Sequence, residues 1–297
     1  RSSSSAASDV YKRQVLICLI IIGCKSNTHY NSKISQLEEA SIIDLVPNSQ
    51  KKGMQWLLKN MDKDDKNLLS TSFLIDNCNY AYKAWDSTPW GSVDDSLFFE
   101  YILPFSSLNE RRDNWRQDFY ERFFPIVKNA KSASEAAAIL NNNIFEMVGV
   151  IYSTKRPKAD QSPYESIEAG LASCTGLSFM LIDACRSVGI PARFVGTPMW
   201  YNNSGNHSWV EIWDNGWHFT GAFEPTGDRL NEGWFASLAA RAVEGHPEYG
   251  IYAATWKKTG VFFPMDWKPG IEKYYAYDVT SSYQKYLDDN FCLLYTS

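Results

Sequence analysis

The chain has 297 residues and a formal net charge of −5 at pH 7. This acidic composition argues against nucleic acid as its main partner. Of its six cysteines, only Cys78, Cys174 and Cys185 lie outside the terminal segments described below. Three cysteines are too few for a disulfide framework, although a single Cys78–Cys185 bridge is an alternative if the protein is exported.

Both ends of the chain resemble translated sequencing adapter. Residues 4–14 match the coding sense of a transposase adapter, and residues 292–297 match its reverse complement. We therefore expect residues 1–14 and 292–297 to be artefacts and leave them out of the fold prediction. Removing Arg1, Lys12, Arg13 and Asp9 takes away a net charge of +2, which changes the total from −5 to −7.

Residues 15–23 form an apolar run that is shorter than the ~20 residues needed to span a bilayer. The run fits a partial signal peptide, and the sequence Ile-Ile-Gly-Cys that ends at Cys24 resembles a bacterial lipoprotein box. This predicts a lipid on Cys24, a tether over residues 24–36, and an extracytoplasmic protein anchored to a bacterial outer membrane. An ordinary signal peptide or a buried strand is the alternative.

Residues 37–150 are predicted to form a mainly helical region. Helical spacing of apolar residues predicts helices over residues 37–58, 72–85 and 109–127. Ser132 and Glu135 have the spacing of a capping box, which predicts another helix ending near Val148. Residues 155–163, basic and punctuated by proline, are predicted to be a loop.

The next predicted helix, Thr175–Val188, is apolar on most faces, which is typical of a helix buried at the centre of a domain. It ends at Gly189. Cys174 lies at its N-terminal end, where Ser173 or Thr175 can cap the helix. The helix dipole and free N–H groups at this position favour a thiolate and can donate to an oxyanion.

A strand is predicted over His207–Trp213, followed by a tight turn at Asn215-Gly216. If the turn has two residues, Asp214 pairs with Trp217, and counting along the ladder places His207 opposite Glu224. Directly opposed side chains share one face, with Cβ atoms about 4.5–5.5 Å apart. We therefore expect a Glu224 carboxylate oxygen about 2.6–3.2 Å from the His207 ring.

Cys174, His207 and Glu224 supply a thiol, an imidazole and a carboxylate, which is the set needed for acyl transfer through a thioester. The surrounding motifs, from residue 162 to 234, resemble the transglutaminase-like superfamily, which has a papain-like core. Three segments are close to the sequence pattern of this superfamily: Cys-Thr-Gly-Leu-Ser from residue 174, Ala-Cys-Arg-Ser-Val-Gly-Ile-Pro-Ala-Arg from residue 184, and Asn-His-Ser-Trp-Val-Glu-Ile-Trp from residue 206. The family usually has Asp-Pro-Thr where this chain has Glu224-Pro225-Thr226.

The resemblance implies an α+β fold in which a buried helix packs on an antiparallel sheet, after the mainly helical N-terminal region. It places a transglutaminase-like core over residues 151–270. Residues 271–291, rich in Tyr, Val, Thr and Asp, are predicted to begin a further β domain.

The resemblance also implies roles for three residues: Cys174 as nucleophile, His207 as general base and acid, and Glu224 as the acid that orients the imidazole. The predicted activity is thiol-dependent hydrolysis of an amide bond in a peptide or peptidoglycan-related substrate, without a cofactor. Protein cross-linking, in which an amine replaces water, is one alternative. A non-catalytic binding or scaffold protein with the same fold is the other.

Other polar residues near these motifs are predicted to be structural. Cys185 is expected to pack in the core, and His218 to lie near the turn on the face of His207. Ser178 lacks the second glycine of a nucleophile elbow. Arg193 is expected to pair with an acid, and Glu211 to be solvated or to tune the site. The four histidines show no zinc-binding spacing with cysteine, so no metal site is predicted.

Overall fold

We analysed a computed structural model, which describes residues 39–91 and 93–286. The predicted adapter segments, signal peptide, lipid-bearing Cys24 and tether all lie outside these ranges. No helix within the described ranges is both long and apolar enough to cross a membrane.

The region before residue 150 is helical, as predicted. Its helices are α1 (Glu39–Ile43), α2 (Lys51–Asn60), α3 (Lys63–Leu68), α4 (Thr71–Ser87), α5 (Asp95–Tyr101), α6 (Arg116–Val127) and α7 (Ala133–Val148). Ser132 caps α7 by accepting a hydrogen bond from the Glu135 backbone N–H, as the capping-box spacing predicted. Helices α2, α4 and α5 surround their own apolar core, which includes Leu57, Leu74 and Phe98.

Two predicted helices are shorter than expected. The helix over residues 37–58 is split between α1 and α2 by a turn and a 3₁₀ segment (Asn48–Gln50), because Pro47 interrupts the spacing. The helix over residues 109–127 begins only at Arg116. Glu110 is buried in the preceding segment, where its carboxylate accepts hydrogen bonds from the Ser107 and Leu108 backbone N–H groups and holds a turn.

The second half of the chain combines helices and strands into the predicted α+β fold. Its helices are α8 (Pro163–Ala169), α9 (Cys174–Ser187), α10 (Ala236–Ala239) and α11 (Thr280–Gln284). Its strands are β1 (Ile151–Tyr152), β2 (Leu171–Ala172), β3 (Ala192–Thr197), β4 (His207–Trp213), β5 (Trp217–Thr220), β6 (Tyr252–Thr255) and β7 (Tyr275–Asp278). Strands β1 and β2 form a short parallel pair, and the others form an antiparallel sheet in the order β5-β4-β3-β6-β7.

Helix α9 occupies the centre of the fold, as its apolar composition predicted. All its residues after Cys174 are buried, and it packs on one face of the sheet against Phe194, Val210 and Ile212. The opposite face carries Val195, Trp209 and Phe219, which pack against residues near α10 and α11. The core around α9 also includes side chains of α6 and α7, so it continues across the predicted boundary at residue 150.

The predicted start of a further β domain at residue 271 is wrong for the residues that the structure describes. Strand β7 pairs antiparallel with β6 in the register Tyr252–Asp278, and therefore completes the edge of the same sheet. Tyr283 of α11 is buried against Trp209 and Phe219. The Tyr-rich composition of this segment reflects packing on the core.

The predicted hairpin forms, but its register is wrong by one residue. Trp213 pairs with Trp217, so the loop has three residues, Asp214 to Gly216, with Asn215 in the left-handed region at φ +57°. The Asp214 carboxylate accepts a hydrogen bond from the Ser134 backbone N–H, 3.0 Å away at the start of α7. This tertiary contact holds Asp214 in the loop and keeps it out of the ladder.

Candidate functional site

Cys174 lies where the sequence predicted, at the N-terminus of the buried helix α9. Ser173 is the cap, since its Oγ accepts a hydrogen bond from the Gly176 backbone N–H at 3.1 Å. Burial works against ionisation of the thiol. The hydrogen bond and charge of His207, with the Ser208 and Thr175 backbone N–H groups, outweigh burial and lower the pKa of Cys174 below its ordinary value.

His207 begins strand β4 and is 5% exposed. Its ring lies among four aromatic side chains, with ring centroids 4.8 Å from Trp234, 4.8 Å from Phe235, 5.8 Å from Trp209 and 6.3 Å from Trp200. These rings exclude water and restrict the orientation of the imidazole. Burial alone would lower the pKa of His207, but Cys174 and Glu224 more than offset it and raise the pKa to about 9.

Glu224 does reach His207, although not through the predicted ladder. Its Oε2 lies 3.6 Å from His207 Nε2, which is longer than the predicted hydrogen bond. The observed register, extended past the end of β5, would place Phe223 opposite His207. The chain instead makes a turn from Gly221 to Glu224, with Phe223 in the left-handed region at φ +65°.

The placement of the Glu224 side chain depends on Gly221. A Cβ at this position would overlap the Glu224 carboxylate, so only glycine lets the glutamate fold back towards the imidazole. Gly221, a poor strand former, therefore allows the chain to approach the Glu224 side chain closely. The glutamate side chain, longer than an aspartate, then reaches His207 from outside the strand ladder.

Two further residues hold Glu224 in place, and no sequence pattern identified either of them. Trp234 donates its indole N–H to Glu224 Oε2 at 2.9 Å and lies against the His207 ring. Asn141 of α7 is 3% exposed and clamps the turn: its Nδ2 donates to Thr220 Oγ1 at 3.0 Å and to Gly221 O at 2.8 Å. The Asn141 Oδ1 accepts from the Phe223 N–H at 2.9 Å.

Asn141 lies 80 or more residues before the turn it clamps, so no local pattern could have identified it. Trp234 lies in an irregular segment without periodicity. Both contacts exist only because α7, the turn and the segment before α10 meet at one end of the sheet.

The remaining cysteines are far less reactive by environment. Within the described ranges Cys78, Cys174 and Cys185 are free, which contradicts the alternative of a Cys78–Cys185 bridge. Cys78 and Cys185 are both fully buried, as the core-packing prediction for Cys185 required. Burial raises the pKa of Cys78 to about 12 and also raises the pKa of Cys185 above its ordinary value.

We predict that mild iodoacetamide alkylates Cys174 at least ~100-fold faster than Cys78 or Cys185, because only the thiolate reacts and the other two are buried thiols. The measurement is the time course of alkylation at each cysteine by peptide mass spectrometry of the native protein. Denatured protein, in which the three rates should converge, is the control. Similar rates for Cys174 and Cys185 in the native protein would contradict the lowered pKa of Cys174.

Other polar residues near the motif are structural. Arg193 pairs with an acid as predicted: its guanidinium contacts Glu211 Oε2 at 2.6 and 2.7 Å. Glu211 is 4% exposed and also accepts from the Tyr283 hydroxyl at 2.6 Å, so the expectation of a solvated glutamate is wrong. Because Tyr283 accepts from the Trp209 indole at 2.7 Å, this buried network supports one wall of the His207 pocket.

The prediction that His218 shares the face of His207 is wrong, because the shifted register pairs His218 with Ile212 on the opposite face. Its Nε2 contacts Asp214 O at 3.1 Å and its Nδ1 contacts Asn231 Nδ2 at 2.8 Å, which gives it a structural role at the turn. Ser178 is fully buried in α9. No group of His, Cys, Asp or Glu in residues 39–91 and 93–286 has the arrangement to hold a metal ion.

A search of curated protein sequences finds no significant relative. Among solved structures, a Cytophaga hutchinsonii protein provisionally named a cysteine protease aligns over 48% of this chain, with 18% identity and a TM-score of 0.36. The chain spans about half of that protein, 47% of its length, and a likeness at this TM-score carries no argument about activity.

The family comparison covers the segment that builds the site. The model of the transglutaminase-like superfamily matches residues 122–222, which include Cys174 and His207 and stop two residues before Glu224. The match begins within α6, in keeping with the core that α6 and α7 share with α9. Residues 122–222 of this chain are therefore similar to the transglutaminase-like superfamily, and this similarity covers about a third of the chain.

Proposed function

We propose that the protein is a thiol-dependent amide hydrolase that acts on a peptide or peptidoglycan-related substrate through Cys174, His207 and Glu224. The observation that carries the proposal is the position of one buried imidazole between a thiol of lowered pKa and a carboxylate. A protein that kept the fold only for binding would have no need of this arrangement, in which three ionisable groups converge at the end of a buried helix.

In the proposed reaction, the Cys174 thiolate attacks the substrate carbonyl carbon and forms a C–S bond. The first N–H groups of α9 would donate to the oxyanion, as their position at a helix N-terminus favours. The C–N bond then breaks, and the His207 imidazolium gives its proton to the leaving amine. His207 next takes a proton from water, which attacks the thioester, releases the acid and regenerates Cys174.

The proposed role of Glu224 is to stabilise the imidazolium and to fix the ring. Because Nε2 faces Glu224, the other ring nitrogen, Nδ1, is the one left to exchange a proton with Cys174. The distance of 3.6 Å is typical of unliganded sites, in which hydrogen bonds between reacting groups are often long before substrate binds.

Hydrolysis and cross-linking share the acyl-enzyme and differ only in what attacks it. The test is to incubate the protein with an unfolded protein substrate and a fluorescent primary amine, and to measure new amino termini and amine incorporation together. We expect new termini with wild-type protein and none with Cys174→Ala. Amine incorporation without cleavage would favour the acyltransferase, and neither product from wild-type protein would count against catalysis.

We predict that Asn141→Ala lowers kcat by roughly 10–100-fold with little change in KM, since even a small misplacement of an orienting group is costly. The substitution removes three buried hydrogen bonds from the turn that presents Glu224. Steady-state kinetics and a folding check by circular dichroism are the measurements. Asn143→Ala, two residues further along the same helix and exposed, is the matched control and should be neutral.

We also propose that lipid on Cys24 holds the domain at a membrane, as the lipoprotein-like box indicates. In a Gram-negative host, the protein should incorporate radiolabelled palmitate and partition into detergent, and Cys24→Ser should do neither. Continued labelling of Cys24→Ser would refute the anchor.

A further inference from the structure

A groove of about 560 Å³ opens at the end of the sheet where β3 stops and β4 begins. Its volume lies within the ~300–1,000 Å³ usual for sites that bury small ligands. Apolar side chains form much of its wall: Met199, Phe262, Phe263, Met265 and Ile271. We call it the Met199 groove.

Residues that line the Met199 groove connect to the neighbours of His207 in two places. Pro198 and Met199 line it, and they directly follow Thr197, the residue of β3 that pairs with His207. Asp266 also lines the groove, and its carboxylate accepts a hydrogen bond from the side chain of Asn206, the residue before His207.

A short chain of contacts joins the groove to Cys174. Thr175, the next residue after Cys174, shares a hydrogen bond of 3.1 Å with Ser208 Oγ. Ser208 pairs with Gly196 in the sheet. A Cβ on Gly196 would lie 3.4 Å from the Phe263 ring and 3.5 Å from Ser208 Oγ. Phe263 in the groove is therefore close to Ser208, which contacts Thr175 beside the thiol.

The charged residues that line the groove are all acidic. Glu248, Asp266 and Glu272 line it, and no lysine or arginine is among the described residues that do so. Arg156 lies outside the lining and attracts Asp266. Glu248 and Glu272 are exposed, and neither forms a salt bridge with a described residue. An apolar wall beside free carboxylates is complementary to an apolar side chain next to a cation.

We propose that the Met199 groove binds the substrate peptide and selects a segment in which bulky apolar residues flank a lysine or arginine. This inference rests on the proposed function for the statement that the peptide is a substrate. The apolar side chains of the peptide would be buried from water against Met199 and Phe263, and its lysine or arginine would lie near Glu248 and Glu272.

The experiment is calorimetric titration of the Cys174→Ala protein, which binds without turnover. The probes are three capped peptides, acetyl-Leu-Lys-Leu-amide, acetyl-Leu-Glu-Leu-amide and acetyl-Gly-Lys-Gly-amide. We expect the first to bind ~10-fold more tightly than the second, because like charges in the groove repel, and ~10-fold more tightly than the third, which has no apolar side chains.

The charge contribution has a matched control. Adding Glu248→Gln and Glu272→Gln together should reduce the preference for lysine over glutamate to within ~3-fold, whereas Glu121→Gln and Glu146→Gln, equal in charge change and exposed on α6 and α7, should preserve it. Equal affinity for the lysine and glutamate peptides, or equal losses in both double variants, would overturn the inference.

This titration separates the two proposals. Peptide selection is measured without a thiol, so it stands or falls independently of catalysis. Rapid alkylation of Cys174 with no peptide preference would leave the hydrolase intact and reject the Met199 groove. Peptide preference without substrate cleavage by wild-type protein would support the Met199 groove and reject the hydrolase.

Discussion

His207→Ala should lower kcat/KM for peptide hydrolysis on the order of 10⁴-fold, since loss of one member of such a set removes most of its joint effect. The substitution removes the side chain that contributes most to lowering the pKa of Cys174, so the pKa of the thiol should rise. It also removes the proton donor for the leaving amine. Alkylation of Cys174 should slow in parallel, which reports the thiolate without requiring a substrate.

His218→Ala is the matched control for this substitution. His218 lies on the opposite face of the same hairpin, and its ring contacts Asp214 and Asn231, so its loss should leave kcat/KM within ~3-fold of wild type. Comparable losses of activity in the two variants would show that the hairpin matters only for folding. Normal alkylation of Cys174 in His207→Ala would show that the imidazole does not activate the thiol.

The wild-type pH profile adds a second check. In the proposed mechanism the active form holds a Cys174 thiolate and a His207 imidazolium, so activity should fall at low pH as the thiolate is protonated. It should fall again as the pH rises through about 9, where His207 loses its proton. Because the folded-state pKa of His207 is raised, its stabilising contribution is complete below about pH 6.5, its unfolded value, and is lost towards pH 9.

Glu224→Gln should lower kcat by roughly 100–1,000-fold, with a smaller effect on KM. The amide keeps the shape and the contact with Trp234 but loses the charge that stabilises the imidazolium. The expected loss is smaller than for a fully buried acid, because the Glu224 side chain is 33% exposed. Glu224→Asp should retain part of the activity, since it restores the charge at a shorter reach.

Steady-state kinetics with a fluorogenic peptide are the measurement, and Glu232→Gln is the control. Glu232 lies eight residues further on, has a side chain that is 44% exposed, and forms a salt bridge with Arg229, so its loss should be neutral. An unchanged kcat in Glu224→Gln, or a drop as large in Glu232→Gln, would remove Glu224 from the mechanism.

Local sequence patterns predicted the elements that carry the candidate site. Helix α9 was predicted within one residue of its observed ends, because apolar side chains surround it and a serine and a glycine mark its two limits. The strand that begins with His207 was predicted over its observed range, and the Asn215-Gly216 pair identified the hairpin. These features depend on the period of the chain and on the conformations that turn residues allow.

The position of Glu224 shows where that reasoning stops. The sequence predicted that Glu224 would approach His207, and it does, but the ladder used to predict it is shifted by one residue. The shift follows from a hydrogen bond between Asp214 and Ser134, 80 residues apart, and a turn around Gly221 then restores the approach. A register is decided by the energies of alternative pairings, and distant contacts contribute to those energies.

By itself, then, the sequence determined the fold class, the buried helix with a cysteine at its N-terminus, and the strand that begins with His207. Only the tertiary structure decided the length of the hairpin loop, the burial of Glu211 against Arg193, the clamp from Asn141 and the contact of Trp234 with Glu224. The physical reason is the separation in sequence of the residues involved. Helix periods, caps and turns are set by neighbours within a few residues. Each of the other features joins side chains that come together only when α7, α9 and the sheet pack around one core.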